Sequence, residues 1–229
     1  MPLSKSELQV SRITDEGGRR KALEVMRSTY RDEKHWISSD DKLVSLKELQ
    51  DDSVAWFVAE QDGSPVGVLR VLYAPPLDLY AAYGFKLVAK DIDLDAFIRN
   101  NRIAEIGRFA VVPSQRGNLL VSAALMREAV AATVRKSFTH YITDVFEGEA
   151  HSPFEFHSRV LGFEVVATHD VGELNCPNRR ITMVLDLKKC YQRLRSSRGW
   201  LFRYITENWT DEMHRAMGGE PARPAVAAR

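Results

Sequence analysis

The chain has 229 residues, 45% of them hydrophobic and 28% charged, proportions that fit a globular protein with a sizeable core. Its 32 basic and 31 acidic residues leave a formal charge of +1, so no whole-chain field selects for nucleic acid or an anionic membrane. Any charged partner must be met by a local patch. Cys176 and Cys190 lie outside any CxxC or Cys/His ligand spacing, which argues against a zinc or other metal site and for unpaired thiols in a reducing compartment.

MPLSKSELQVSR contains no apolar signal core and no run of about 18 apolar residues follows, so a cytoplasmic protein without a transmembrane segment is expected. A short strand is expected over Leu8–Ile13. Leu23, Met26 and Tyr30 then recur at helical spacing in GGRRKALEVMRSTYRDEKHW. SVAWFVAEQ and SPVGVLRVLYAPP flank Asp62-Gly63, the signature of an antiparallel hairpin. Residues 77–101 read as mixed loop and short helix. The strand IAEIGRFAVV follows, and Asn118 to Lys136 is Ala-rich and apolar on one side, the pattern of a central helix.

THYITDVF reads as a strand, FEFHSRVL as a short helix, and GFEVVATHDV and RRITMVLDL as two further strands. The order predicts a single α/β (α+β) domain over 1–187 with a mixed, mostly antiparallel central sheet flanked by helices. A C-terminal helical extension is expected over 188–217, and the Pro-containing segment 218–229 reads as a disordered tail.

The strand that ends at Val112-Pro113 feeds a helix through Gln115, Arg116, Gly117 and Asn118. Free N–H groups at such a helix start form an anion site, although a lone glycine there also fits a plain turn. The whole plan resembles the GNAT N-acetyltransferase superfold, from about Leu8 to Leu187, with Leu161-Gly162-Phe163 at its second motif. In that family the turn binds the pyrophosphate of coenzyme A through R-G-x-G-x-G/A. Here Arg116-Gly117 keeps the first half, but Leu119 and Val121 stand at the next two glycine positions and are expected to obstruct a diphosphate. The family's usual general-acid tyrosine falls on Ser158, and the adjacent His157 reads as a packed histidine rather than a catalyst.

A reduced phosphate cradle suits acyl carrier protein, whose phosphopantetheine carries one phosphodiester. Arg27, Tyr30 and Trp36, then Asp40 and Asp41, then Arg70, then Glu105 and Arg108 in E-x-x-R-F, resemble the signature of the N-acyl amino acid synthases and the acyl-homoserine-lactone autoinducer synthases. The spacing of Arg27 from Tyr30 looks more like the former. The resemblance implies an N-acyltransferase that moves a fatty acyl group from acyl carrier protein to the amine of an amino acid or similar small amine. No tightly bound cofactor is expected. Alternatives are an acyl-coenzyme A dependent N-acetyltransferase, a lactone synthase using S-adenosylmethionine, or a catalytically silent binding module in which Trp200 to Trp209 meets a partner or a membrane surface.

Glu105 is the candidate base, its alternative being an ion pair with Arg108 or Arg70 that lowers its pKa. Arg27, Arg70 or Arg108 are candidates for a substrate carboxylate, since arginine binds carboxylates bidentately. Tyr30 and Trp36 either pack or fold over the acceptor. In a regular strand Glu105 and Arg108 would face opposite ways, so a bulge is expected near Gly107, opening a slot where pantetheine pairs with Phe109, Ala110, Val111 and Val112. The apolar face of helix 118–136 with Phe138, Tyr141 and Ile142 is expected to line an acyl tunnel. Lys188, Lys189, Arg193, Arg195, Arg198 and Arg203 form either a solvated helix face or a docking patch for acidic carrier protein.

Overall fold

Val54–Gln61 (β2) and Ser64–Leu72 (β3), rich in valine and other apolar residues, pair antiparallel about Asp62 and Gly63, whose φ angles of 51° and 81° make the tight hairpin turn. The computed structural model describes residues 7–38, 43–77, 83–89 and 92–219. Asp40 and Asp41, and the tail from residue 220 onward, lie outside the described residues.

Around this hairpin stand β1 (Leu8–Ile13), β4 (Lys86–Leu87), β5 (Ile103–Val111), β6 (His140–Phe146), β7 (Glu164–His169) and β8 (Arg180–Asp186). They form one sheet in the order β1-β2-β3-β5-β6-β8-β7-β4, antiparallel throughout except for β5 and β6. The short edge strand β4 falls within the stretch read from sequence as loop and helix.

The helices are α1 (Glu16–Met26), α2 (Leu46–Leu49), α3 (Leu94–Asn100), α4 (Leu119–Arg135), α5 (Leu187–Ser197), α6 (Trp200–Ile205) and α7 (Asp211–Ala216). Asp15 caps α1 by accepting from the Gly18 amide, and Asn118 caps α4 by accepting from Leu120. Two cores result. One face of the sheet packs Val121, Leu125 and Ala129 of α4, and Tyr191, Leu201, Ile205, Met213 and Met217 bring α5 to α7 into that same core. The other face packs Leu23, Val25 and Met26 of α1 with Tyr30, Trp36 and Trp56.

The C-terminal helices therefore share the main core rather than standing apart from it. Trp200 is exposed, while Trp209 stacks on Tyr191 at 5.6 Å. Arg193, read as part of a basic surface patch, donates instead to the carbonyls of Arg159 and Val160. Phe138 and Tyr141 are core residues, the Tyr141 hydroxyl donating to Thr133 Oγ1 at 2.6 Å, and neither lines the main cavity.

Candidate active site

The parallel pairing of β5 with β6 runs only from Ile103↔His140 to Glu105↔Ile142. Beyond it both strands continue without pairing, so the sheet opens as a V whose arms are 106–111 and 143–146. On its other edge β5 stays joined to β3, but between Arg70↔Gly107 and Val68↔Ala110 its partner count is uneven: Arg108 and Phe109 stand opposite Leu69 alone. The bulge residue is Arg108, left-handed at φ 50°, one position after the glycine expected to host it. This break in alternation brings Arg108 to the face that already carries Arg70 and Glu105, which answers the parity conflict in E-x-x-R-F.

Gly107 has a different task. Arg70 lies opposite it, and the Arg70 guanidinium crosses the strand to donate from Nη2 to Glu105 Oε1 at 3.1 Å. A Cβ at Gly107 would sit 3.0 Å from Glu105 Oε1 and 3.3 Å from Arg70 Nη2, so a side chain there would press on the pair and shift it by a few tenths of an ångström. Arg108 Nη2 donates to Glu173 Oε2 at 2.9 Å, and Arg70 Nη2 lies 3.6 Å from the same oxygen. The Nε atoms of Arg70 and Arg108 are buried without a hydrogen-bond partner among the described residues.

Burial decides the electrostatics of Glu105. It raises the carboxyl pKa, Arg70 pulls it down, Glu173 and Asp144 push it up again, and the net direction is upward. The lowering expected from an arginine partner is therefore outweighed. Burial and neighbouring Arg70 lower the Arg108 pKa while Glu173 opposes them.

The segment after α1 tightens this site from above. Bonds from Asp32 N to Arg27 O at 2.9 Å and from Lys34 N to Thr29 O at 3.0 Å make Arg27–Arg31 a π-helical turn, which re-aims Tyr30 towards the sheet. The Tyr30 hydroxyl donates to the Phe109 carbonyl at 3.2 Å, and burial pushes its pKa up to about 12 despite Arg108 and Arg70. Trp36 stacks on Tyr30 at 5.6 Å and meets Phe146 of β6 at 4.4 Å, so the two aromatics bridge the arms of the V. Glu33 and Arg116 form a two-pronged ion pair, one prong at 2.5 Å, and Lys34 pairs with Glu149.

A cavity of about 440 Å³ runs through the opening. Tyr30, Trp36, Arg70, Glu105 and Arg108 line one part of it, and Phe109, Ala110, Val111, Gln115, Arg116, Gly117 and Asn118 line the strand edge and turn. Two expected members do not line it. Arg27 stands at the start of the π-helical turn, away from the lining, and the Val112 amide is spent on the Val66 carbonyl at 3.0 Å.

Val121 also departs from expectation. It is fully buried, and a Cβ on Gly67 would meet it at 3.1 Å, so it packs on β3 and does not obstruct the turn. Leu119, 41% exposed, lines the cavity beside the turn. Gly117 takes φ 84°, which explains glycine there by backbone conformation.

His157 is buried, with Nδ1 2.8 Å from the Pro153 carbonyl, and burial lowers its pKa to about 4, so it is a packed neutral ring. Ser158 donates to Phe154 O at 2.8 Å. Two site groups carried no sequence signal as such: Glu173 and Asp144. Asp144 could have been noticed as an acid inside the apolar run HYITDVF. It accepts from Thr182 Oγ1 at 2.7 Å and lies 3.0 Å from His169 Nε2. Among the described residues, no group of three or more His, Cys, Asp or Glu is placed to hold a metal, and no helix is long and apolar enough to cross a membrane.

No curated protein matches the chain. Among solved structures, it resembles FeeM, an N-acyl amino acid synthase from uncultured soil microbes, at 15% identity and TM-score 0.62, covering 87% of this chain and 99% of that one. It is also similar to an N-acetyltransferase from Staphylococcus aureus Mu50, with 17% identity, TM-score 0.53, and 80% and 99% of the two chains covered. A third is the PaiA N-acetyltransferase of Thermoplasma acidophilum in complex with coenzyme A, with 13% identity, TM-score 0.52, and 79% and 99% covered. At these identities the likeness is one of fold, and the fold is that of the GNAT acetyltransferases. The sequence profile of N-acyl amino acid synthase FeeM matches residues 21–185, most of the chain and all of the site described above. The chain belongs to the FeeM family of N-acyl amino acid synthases and is an N-acyltransferase.

Proposed function

We propose that the enzyme transfers a fatty acyl group from the phosphopantetheine thioester of acyl carrier protein to the α-amino group of an amino acid. The observation that carries this reading is the joining, in one cavity, of an opened β5–β6 edge to a buried carboxylate flanked by two arginines. Pantetheine is an extended amide chain, and Phe109 to Val111 offer it an edge to pair with in the manner of an added strand. The thioester carbon then lies near Glu105, with a strand amide available to meet its oxygen as negative charge develops.

The acceptor's carboxylate is taken by the guanidinium groups of Arg70 and Arg108, both of which line the cavity. An α-amino group has an ordinary pKa of about 7.7–8.0, so a modest base suffices. The nitrogen attacks the thioester carbon, its proton passes to Glu105 directly or through a water, the C–S bond breaks, and the thiolate is protonated as the amide forms. A carboxylate with a raised pKa suits that transfer better than an ordinary one.

The donor assignment rests on the turn. Leu119 crowds the place of a second phosphate, and Glu33 already neutralises Arg116, so little positive charge remains for a diphosphate. One phosphodiester with its weight of binding on a protein carrier is the better fit.

Lipid extracts of cells overproducing the enzyme, compared by mass spectrometry with cells overproducing Glu105→Gln, test the reading. New N-acylated amino acids in the first and their loss in the second are expected. An unchanged lipid profile, or equal product from both, would contradict it.

A further inference from the structure

Glu173 is not part of the motif that carries the reaction, yet it holds the same two arginines that the acceptor carboxylate needs. We propose that Glu173 is a displaceable stand-in for that carboxylate: it occupies Arg70 and Arg108 in the empty enzyme and swings out when an amino acid binds. The proposal rests on the reading that the acceptor is an amino acid.

Three observations lead to it. The first is charge. Arg70 and Arg108 face Glu105, Glu173 and, 3.8 Å from Arg70 Nη1, Glu48, two cations against three anions. Adding an acceptor carboxylate to that set places a fourth anion on two guanidinium groups, whereas exchanging it for Glu173 adds no charge. Like charges that close to one another are costly in a poorly solvated site.

The second is asymmetry of burial. The side chains of Arg70 and Arg108 are 9% and 8% exposed, while that of Glu173 is 50% exposed. The arginines are fixed in the wall, and the glutamate reaches them from the solvent side.

The third is the loop. Residues 170–179 join β7 to β8, and their backbone is pinned on both sides of Glu173. Arg180 donates to the carbonyls of Asp170 at 2.7 Å and Leu174 at 2.5 Å, and the Asn175 amide donates to Trp36 O at 2.9 Å. Gly172 makes this approach possible, because a Cβ there would sit 2.6 Å from Arg180 Nε. With the backbone held, departure of the carboxylate needs only rotation of an exposed side chain, a motion on the picosecond to nanosecond scale. The tether to Trp36 places the stand-in beside the aromatic cover of the acceptor site.

The consequence is a competition confined to acceptors with a carboxylate. Such an acceptor takes over the ion pairs of Glu173 and must displace it, whereas a plain amine makes no ion pair with the two arginines and binds with Glu173 in place. The apparent affinity for the amino acid is reduced by the fraction of enzyme in the closed state.

Steady-state kinetics on the purified full chain test this, at saturating acyl donor. The acceptors are the amino acid that the enzyme acylates best and the amine left when its carboxyl group is removed. Glu173→Gln is expected to lower the KM for the amino acid about three- to tenfold and not to lower it for the amine. Glu173→Asp, which keeps a carboxylate, is expected to retain the wild-type preference. The ratio of the two KM values is taken within one preparation, so a poorer yield of folded variant cancels. A KM for the amino acid that is unchanged or raised in Glu173→Gln, or one that falls equally for both acceptors, overturns the proposal alone. An enzyme that acylates amines but no amino acid overturns the acceptor assignment and this proposal with it.

Discussion

Glu105 sits at the balance point of the site, a carboxylate whose burial outweighs its arginine partner. Glu105→Gln is expected to lower kcat/KM by about 10²- to 10⁴-fold, the usual share of a positioned base, with the fold intact. Because its pKa is raised, the acidic limb of the wild-type kcat/KM profile is expected above the ordinary glutamate range, and that limb disappears in the variant. Gly107→Ala is a finer probe. Its methyl group would press on Glu105 Oε1 and Arg70 Nη2, the far ends of flexible side chains. A loss of about tenfold or more in kcat/KM with little change in thermal midpoint is therefore expected, since small misplacements of reacting groups are costly. His169 gives a stability prediction. Burial lowers its pKa, but the Asp144 carboxylate and the Val171 carbonyl outweigh that and raise it. A folded pKa above the unfolded one means stability that is complete below about pH 6.5 and lost as pH rises through the higher folded value. Thermal midpoints measured from pH 6 to 9 are expected to show that decline, and Asp144→Asn is expected to flatten it.

At the scale of elements, the hairpin, the strand IAEIGRFAVV and the Ala-rich helix were legible because each has a clean period or turn. The break in β5 was legible too, as a conflict between Glu105 and Arg108, and it lies near Gly107 as expected, with the left-handed conformation carried by Arg108 and not by the glycine. Glycine there serves the crossing of Arg70, a requirement set by a residue on another strand that a single run of sequence does not display. Val121 shows the opposite case. Four residues before Leu125, it shares that residue's buried face, and helical periodicity alone places it against the sheet. Of the two residues, Leu119 is the one that lines the cavity. Leu119→Gly is expected to raise the use of acyl-coenzyme A relative to acyl carrier protein severalfold, at about 1 kcal/mol of stability for a glycine in the first turn of α4. Competition between the two donors in a single reaction reads that ratio directly.

For the whole molecule, the order of elements in the chain was enough to define the GNAT-like plan, and the residues that function on it were only partly visible. Those within the strand and turn, Glu105, Arg108 and Gln115 to Asn118, are neighbours in sequence and could be grouped there. Tyr30 and Trp36, on the segment after α1, could be joined to them only through the family resemblance, and Glu173, which arrives from the β7–β8 loop, could not be joined at all. Nothing in that loop's own sequence marks its closeness to the cavity, since that closeness is a product of the eight-stranded topology. Arg27 illustrates the converse, a signature residue that the folded chain places away from the lining. In the proposed reading the site joins a donor slot, a base and a carboxylate clamp drawn from separate stretches of chain. The central claim is that this assembly joins a carrier-bound acyl group to an amino acid. Its most direct test offers the purified enzyme a mixture of L-amino acids with acyl carrier protein and coenzyme A thioesters of the same chain, one of them isotopically labelled, and identifies the products by mass spectrometry. An N-acyl amino acid bearing the carrier protein's isotope is predicted, whereas product bearing only the coenzyme A isotope would contradict the account.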